Sequence, residues 1–259
     1  MNQETIDAIA AKLRDAQLQK SRLDGTTLGL AAGDIDWAYQ VQTSLARPTH
    51  LGGWKIGAAN LIQQDMLSIS EPFYGAIFAT DIFPSGAQIA ATTYQPAIIE
   101  PEIGFELSQA ACNITAPVTH DTVTQFIVAL RPVFEIFNPR LDPPFAAGAA
   151  PLVADRGGNG GLVIGAPTPP CDWHLLADIT ATLGVNQETI EKGSATVVLD
   201  NPINSLIWFL NAARQHKLPL AAGHIIASGS LTKPYPASAG ETISAVFDQL
   251  GEVAVSLTG

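Results

Sequence analysis

From His50 onward the chain never runs far without a turn. Short apolar segments alternate with glycine and proline: LGGWKIGAA, YGAIFATDIFPSGAQI, QPAIIEPEIGFEL, ALRPVFEIFN, GGLVIGAP, ATVVLD, HIIASGSL, ETISAVF and EVAVSLTG. Such segments are strand-sized and bounded by helix-breaking residues, so the pattern predicts a mostly-β core. SGAQI and SAGETI read as hairpin or corner turns. Two helical interludes are expected, DTVTQFIVALR at 121–131 and NPINSLIWFLNAARQH at 201–216. The second has Asn201 as a cap candidate and Pro202 at its first position. LDPPFAAGAAP at 141–151 is a Pro/Gly/Ala loop of the long kind that often carries function.

The preceding residues differ. Ile6, Ile9, Ala10 and Leu13 recur at helical spacing, and 34–46 repeats the pattern with Trp37, Val41 and Leu45 on one stripe and Asp34 or Asp36 as cap. The division is therefore an N-terminal helical region at 1–48 and a β-rich catalytic domain at 49–259, an α+β chain.

Charge limits the partners. Of 259 residues 47% are hydrophobic and 14% charged, with a mean hydropathy of +0.20, so apolar surface has to be hidden and a homo-oligomer is expected. Thirteen basic against 24 acidic residues give a net charge of −11. That argues against nucleic acid, which needs a Lys/Arg footprint. A small anion would have to be met by a few local cations or a metal. The two cysteines, Cys112 and Cys171, are far apart. The first residues lack the apolar core of a signal peptide, and no apolar run reaches membrane-spanning length, so a cytoplasmic protein is expected. Dinucleotide, P-loop, nucleophile-elbow and zincin motifs are absent, and the five histidines are scattered.

Four places carry candidate chemistry. In IIEPEIGFEL, Glu100, Glu102 and Glu106 share one face of a strand, with Ile99, Ile103, Phe105 and Leu107 on the other. Pro101 cannot donate to a ladder, which predicts an edge or a strand start. The alternative for these acids is a solvated strand face. In PVFEIFN, Glu135 lies in an apolar stretch, where a charge needs a partner or a metal. Three carboxylates suit Mg²⁺ or Mn²⁺; a salt bridge from Glu135 to Arg131 or Arg140 is the competing reading. Lys55, in GGWKIG, is an acid/base or anion-anchor candidate, or a lysine with its head in water. Ser228, Ser230 and Thr232, with Lys233, form a carboxylate-holding turn or a polar hairpin.

Together these segments resemble the fumarylacetoacetate hydrolase superfamily, in its branch of 2-keto-4-pentenoate hydratases and oxalocrotonate decarboxylases. The resemblance covers almost the whole chain. Ala38, Tyr39 and Gln42 match an "AY..Q" element, and Gly53 to Gly57 a "G-x-K-I-G" element. Glu100 to Leu107 match "E-x-E-I/L-x-F-x-L", and Pro132 to Glu135 match "P-x-x-E". Asn204 to Leu210 match the "N-x-x-W-L"-like helix, and Ser228 to Thr242 the "SGSLT-x-P-x-P…G-E/D-T" ending.

The resemblance implies a β-rich, rolled, barrel-like mixed-sheet core. Glu100, Glu102 and Glu135 would hold Mg²⁺ or Mn²⁺, which would chelate a small 2-oxo or 2-hydroxydienoic acid. Lys55 would assist proton transfer and Asp155 would join the catalytic set. Ser228, Ser230 and Gly57 would border the substrate. The implied reaction is hydration of a 2-hydroxy-2,4-dienoate in aromatic-compound breakdown. Decarboxylation of a 2-oxo acid and C–C hydrolysis of an acylpyruvate share the same metal–enolate chemistry, and an inactive binding or partner subunit would share the fold. Phe73 stands where some hydratases have Asp, and Arg156–Gly157 where Asn-Ala is frequent. No Glu lies at short spacing from His50 to make the hydrolases' His–Glu pair.

Overall fold

The computed structural model describes residues 1–46 and 50–259. The boundary expected at 48/49 lies outside the described residues.

Asn2 caps α1 (Gln3–Gln19) through its side chain, which accepts from the Thr5 N–H. Ile6, Ile9, Ala10 and Leu13 are its buried stripe. In α2 (Ile35–Leu45) the buried face is Ala38, Val41 and Gln42, while Trp37 and Leu45 are only half-buried. Asp34 precedes α2 but makes no side-chain cap, since its carboxylate accepts from the Ala31 N–H instead. Gln42 explains the face: its amide donates to the carbonyls of Tyr74 and Val153 and accepts from the Ala76 N–H. The helical layer is thereby fastened to the sheet by a fully used buried amide.

The core has two mixed sheets. The strands in chain order are β1 (Leu51–Gly57), β2 (Phe73–Phe78), β3 (Ile82–Pro84), β4 (Ala87–Ala90), β5 (Ala97–Leu107), β6 (Ile127–Phe137) and β7 (Asn159–Ile164). After them come β8 (Thr180–Val185), β9 (Glu188–Ser194), β10 (Ile225–Ser230), β11 (Tyr235–Ala237), β12 (Thr242–Phe247) and β13 (Gly251–Thr258). The larger sheet runs β2-β1-β10-β5-β6-β7-β3, with β11 continuing beside β5; the smaller runs β4-β13-β12-β8-β9. β2 and β7, far apart in that order, nevertheless touch, so the larger sheet rolls. SGAQI and SAGETI are the corners at which the chain passes from one sheet to the other. Short helices α3 (Leu61–Leu67) and α4 (Ala149–Ala154) and the longer α5 (Pro202–His216) complete the fold. Asn201 caps α5 on the Ile203 N–H, with Pro202 starting the helix. No described helix is long and apolar enough to cross a membrane.

The two faces of β5 and β6 divide the molecule. Ile99, Ile103, Phe105, Phe134 and Ile136 enter the main core with Phe209 of α5 and Ile243, Phe247 and Val255 of the smaller sheet. The opposite face, bearing the acidic residues, looks towards α1, α2 and α4.

Three expectations are corrected. Residues 121–131 are not a helix: one short turn, Val123–Phe126, leads into β6, which pairs with β5 from Ile127 on. ATVVLD is a short helical turn rather than a strand. Pro101 lies mid-way along an interior strand rather than at an edge or a strand start. Its carbonyl accepts from Leu231, so its nitrogen faces the break between β10 and β11, where the missing N–H leaves no partner unsatisfied.

Candidate metal centre

The register of β5 and β6 sets Glu100 directly opposite Glu135. Glu102 follows on the same face of β5, level with Ser230 of β10. One oxygen from each of the three carboxylates lies within 4.8 Å of the others. Glu102 and Glu135 are buried and Glu100 is half-buried. Like charges facing each other across strands oppose folding, the more so away from water. Burial, reinforced by Glu135, pushes the Glu100 carboxyl up to about 7. Burial followed by Glu135 and Glu100 holds Glu102 well above the ordinary carboxylate range.

Lys55 is the cation facing this trio. Its neighbour across the sheet on β10 is Ala227, and its own stem passes Gly75 of β2, where a Cβ would sit 3.2 Å from Lys55 Cγ. Nζ reaches to 3.1 Å from Glu135 Oε2 and lies 5.7 and 5.9 Å from the ring centres of Phe73 and Phe137. Burial works to discharge it, but the carboxylates, Glu135 foremost, outweigh burial and hold its pKa above the usual lysine value. Gly157, at φ +63°, packs against it: a Cβ there would come within 3.0 Å of Lys55 Cε and 2.7 Å of the Phe73 ring.

Two further groups fix the acids. The Asn159 amide donates to Glu135 Oε1 at 3.0 Å. The Gly229 N–H donates to Glu102 Oε2 at 2.8 Å. Gly229 is where β10 breaks register, at φ +107°, with Ala59 so close that a Cβ would sit 2.6 Å from it. Glu135 Oε2 is buried and accepts no well-directed hydrogen bond despite the nearby ammonium. Three carboxylates against one ammonium leave the fully ionised cluster negative. An oxygen-seeking divalent cation fits both the charge and the orphaned oxygen.

Beside the cluster lies a cavity of about 130 Å³ bordered by Lys55, Gly57, Glu100, Glu102, Phe73 and Ser230. A larger groove of about 750 Å³, between α2 and α5, shares Leu67 and Phe73 with it but none of the three acids. The smaller cavity is the one at which ionisable groups converge, which makes it the candidate site.

No protein-family model matches the chain. The 2-oxo-hept-4-ene-1,7-dioate hydratase of Escherichia coli is 28% identical over 264 residues, spanning 97% of this chain and 97% of the relative. The 2-keto-4-pentenoate hydratase of Paraburkholderia xenovorans is 28% identical across 85% of this chain and 82% of its own. The chain is a relative of the 2-keto-4-pentenoate hydratases. Its fold is that of 4-oxalocrotonate decarboxylase from Pseudomonas putida G7, solved with magnesium and adipate. That structure aligns at a TM-score of 0.91 and 21% identity over 99% of this chain and 98% of the other. Fumarylacetoacetate hydrolase from Exiguobacterium antarcticum shares the fold at a TM-score of 0.60 and 16% identity, over 81% and 75% of the two chains.

Within this hydratase relative, Lys55, Glu100, Glu102 and Glu135 come together, and Gly57 and Ser230 border the cavity. Glu135 pairs with neither arginine weighed for it: Arg131 holds Glu106 at 2.8 Å, and Arg140 holds Asp155 at 2.5 Å. Asp155 does not line the cavity, because both of its oxygens are taken by Arg140. Ser228 is turned into the sheet, where its Oγ accepts from the Ile103 N–H and donates to the Gly229 carbonyl. Sequence reasoning missed Asn159, Phe137 and the Gly229 N–H. Asn159 was signalled as the polar member of a glycine run before a strand, and Phe137 by sharing the parity of Glu135.

The raised carboxyl values have a consequence for pH. Cation binding requires ionised carboxylates, so with Glu100 at about 7 each bound ion displaces protons until the pH exceeds that value. Mg²⁺ affinity should therefore climb between about pH 6 and about pH 8, with proton release read from the buffer dependence of the calorimetric enthalpy. Folded-state values above the ordinary 4.5 of a glutamate mean that these groups support the metal-free fold below that pH and withdraw support as pH rises through about 7. The metal-free melting temperature should fall over this interval and be restored by Mg²⁺. A flat profile with and without the ion would contradict the arrangement.

Proposed function

We propose that the protein is a divalent-metal-dependent hydro-lyase that adds water to a 2-hydroxy-2,4-dienoate, giving a 4-hydroxy-2-oxo acid, in the breakdown of aromatic compounds. The observation that carries this reading is the meeting of three carboxylates with one buried lysine at a small cavity. The hydratase names of the relatives point the same way.

Glu100, Glu102 and Glu135 would hold Mg²⁺ or Mn²⁺. The bound ion would supply Lewis acidity for the negative charge that develops on the substrate's 2-oxygen. The remaining work belongs to the chain. Asn159 and the Gly229 N–H keep Glu135 and Glu102 in place. Lys55 Nζ donates to the substrate carboxylate or enol oxygen and assists proton transfer as the dienol becomes the keto form. The Phe73 and Phe137 rings beside Nζ shield it from bulk water. Ser230 and Gly57 border the substrate.

The test is turnover of 2-hydroxypenta-2,4-dienoate with Mg²⁺, followed by loss of dienol absorbance and mass analysis of the product. Gain of one water supports hydration. Loss of carbon dioxide or appearance of two fragments would instead establish decarboxylation or C–C cleavage, and no turnover would favour an inactive partner. Light scattering on the same sample addresses the homo-oligomer, which the exposed Leu18, Leu61 and Ile62 support. Free Cys112 and Cys171 suit a reducing cytoplasm.

A further inference from the structure

The cavity has two chemically unlike ends. At one, Lys55 faces the acids. Away from it the wall is Ile98, Leu152, Phe145, Met66 and Pro234, with Gln63 as its neutral polar member. Met66 and Phe145 are 57% and 43% exposed, which puts the mouth at this apolar end. Phe145 belongs to the Pro/Gly/Ala loop after β6 and stacks on Phe137 with ring centres 5.9 Å apart. Among the described residues lining the cavity, Lys55 is the only cation, and its ammonium is engaged with Glu135. Lys233, next to Pro234, is exposed and not part of the lining.

We propose that the substrate is a monocarboxylic 2-hydroxydienoate with an apolar tail, selected against dicarboxylic analogues by Phe145 and Met66. The inference rests on the hydratase reading above for the polar end of the site. The single carboxylate and the 2-oxygen belong at the Lys55 end. The tail then lies along the rings and the methionine. A second carboxylate on that tail would leave water for a wall without a counter-charge, at the cost of an unpaired ion. A methyl or ethyl group there gains from burial. Discrimination of this kind is asymmetric: one methylene changes rates modestly, whereas an unmatched polar group is strongly rejected.

The experiment has two arms, both with the Mg²⁺-loaded protein. In the first, 2-oxohexanoate and 2-oxoadipate are titrated by calorimetry, which reads the tail preference without requiring turnover. The monoacid should bind about 10–100-fold more tightly. In the second, kcat/KM for 2-hydroxyhexa-2,4-dienoate and 2-hydroxyhepta-2,4-diene-1,7-dioate should differ in the same direction and by a similar factor. Phe145→Lys, or Met66→Lys on the exposed face of α3 should the first variant fold poorly, supplies the absent cation and should shrink the preference at least about tenfold. Equal or tighter binding of 2-oxoadipate, or no binding of either acid, overturns the inference. Tail preference without hydration of either dienoate leaves the inference standing and removes the hydratase reading. Hydration without tail preference does the reverse.

Discussion

Glu102→Gln should lose divalent-ion binding and turnover together while the fold persists. The substitution is nearly isosteric, and the amide oxygen can still accept from the Gly229 N–H that now bonds the carboxylate at 2.8 Å. What disappears is one negative charge from a buried trio. Mg²⁺ affinity should fall by about 100-fold or more, beyond the effect typical of removing a mere supporting partner of a ligand. Turnover should fall by about 1,000-fold, the scale of losing several kcal/mol of charge stabilisation. Stability should move the other way. With no metal bound, removing one of three repelling carboxylates relieves the cost of burying them, so the melting temperature of the metal-free variant should equal or exceed that of the wild type. Mg²⁺ should then raise the melting temperature of the wild type but not of the variant. Wild-type turnover in Glu102→Gln would refute the assignment of the three acids.

The parts of this structure that were legible in the sequence are those with local signals. The α1 stripe, the Asn201–Pro202 start of α5 and the corner turns each announce themselves within a few residues. The parity of Glu100 and Glu102 follows from the period of a strand, and so did their common face. What failed was non-local. Val123, Phe126, Ile127 and Leu130 are spaced as on a helix, yet the segment pairs with β5 because the register from Leu107↔Ile127 to Ile98↔Phe137 gains a whole ladder. The β8–β9 hairpin went unseen since its turn is Asn186-Gln187, both at positive φ without a glycine, and β9 is an exposed edge with no alternation. The partner of Glu135 was undecidable for the same reason. Arg131 and Arg140 were near in sequence, whereas Lys55 reaches Glu135 only because β1, β10, β5 and β6 lie side by side, with Gly75 and Gly157 giving its stem room.

Asp155 is where resemblance and geometry assign different work, and a variant separates them. Its Oδ1 accepts from Arg140 Nε at 2.5 Å and its Oδ2 from the Arg140 N–H at 2.7 Å. The same guanidinium donates to the carbonyls of Asn138, Asn159 and Asp155. Both residues are buried. Burial raises the Asp155 carboxyl pKa, and Arg140 opposes that rise. This clamp holds the turn whose next residues bring Gly157 against Lys55 and Asn159 onto Glu135. Asp155→Asn keeps the shape but leaves Arg140 buried without its counter-charge, a loss of about 3–5 kcal/mol. For a chain of this size each kcal/mol is worth about 2–4 °C, so the melting temperature should drop by about 6–20 °C. Assayed cold with saturating Mg²⁺, the folded variant should keep kcat within about tenfold, since a group acting only through position loses population before it loses chemistry. A direct proton-transfer role predicts the same drop in melting temperature together with a fall in kcat of about 100-fold or more in the folded variant. Measuring both quantities on one preparation decides whether Asp155 acts on the substrate or on the loop that positions Lys55.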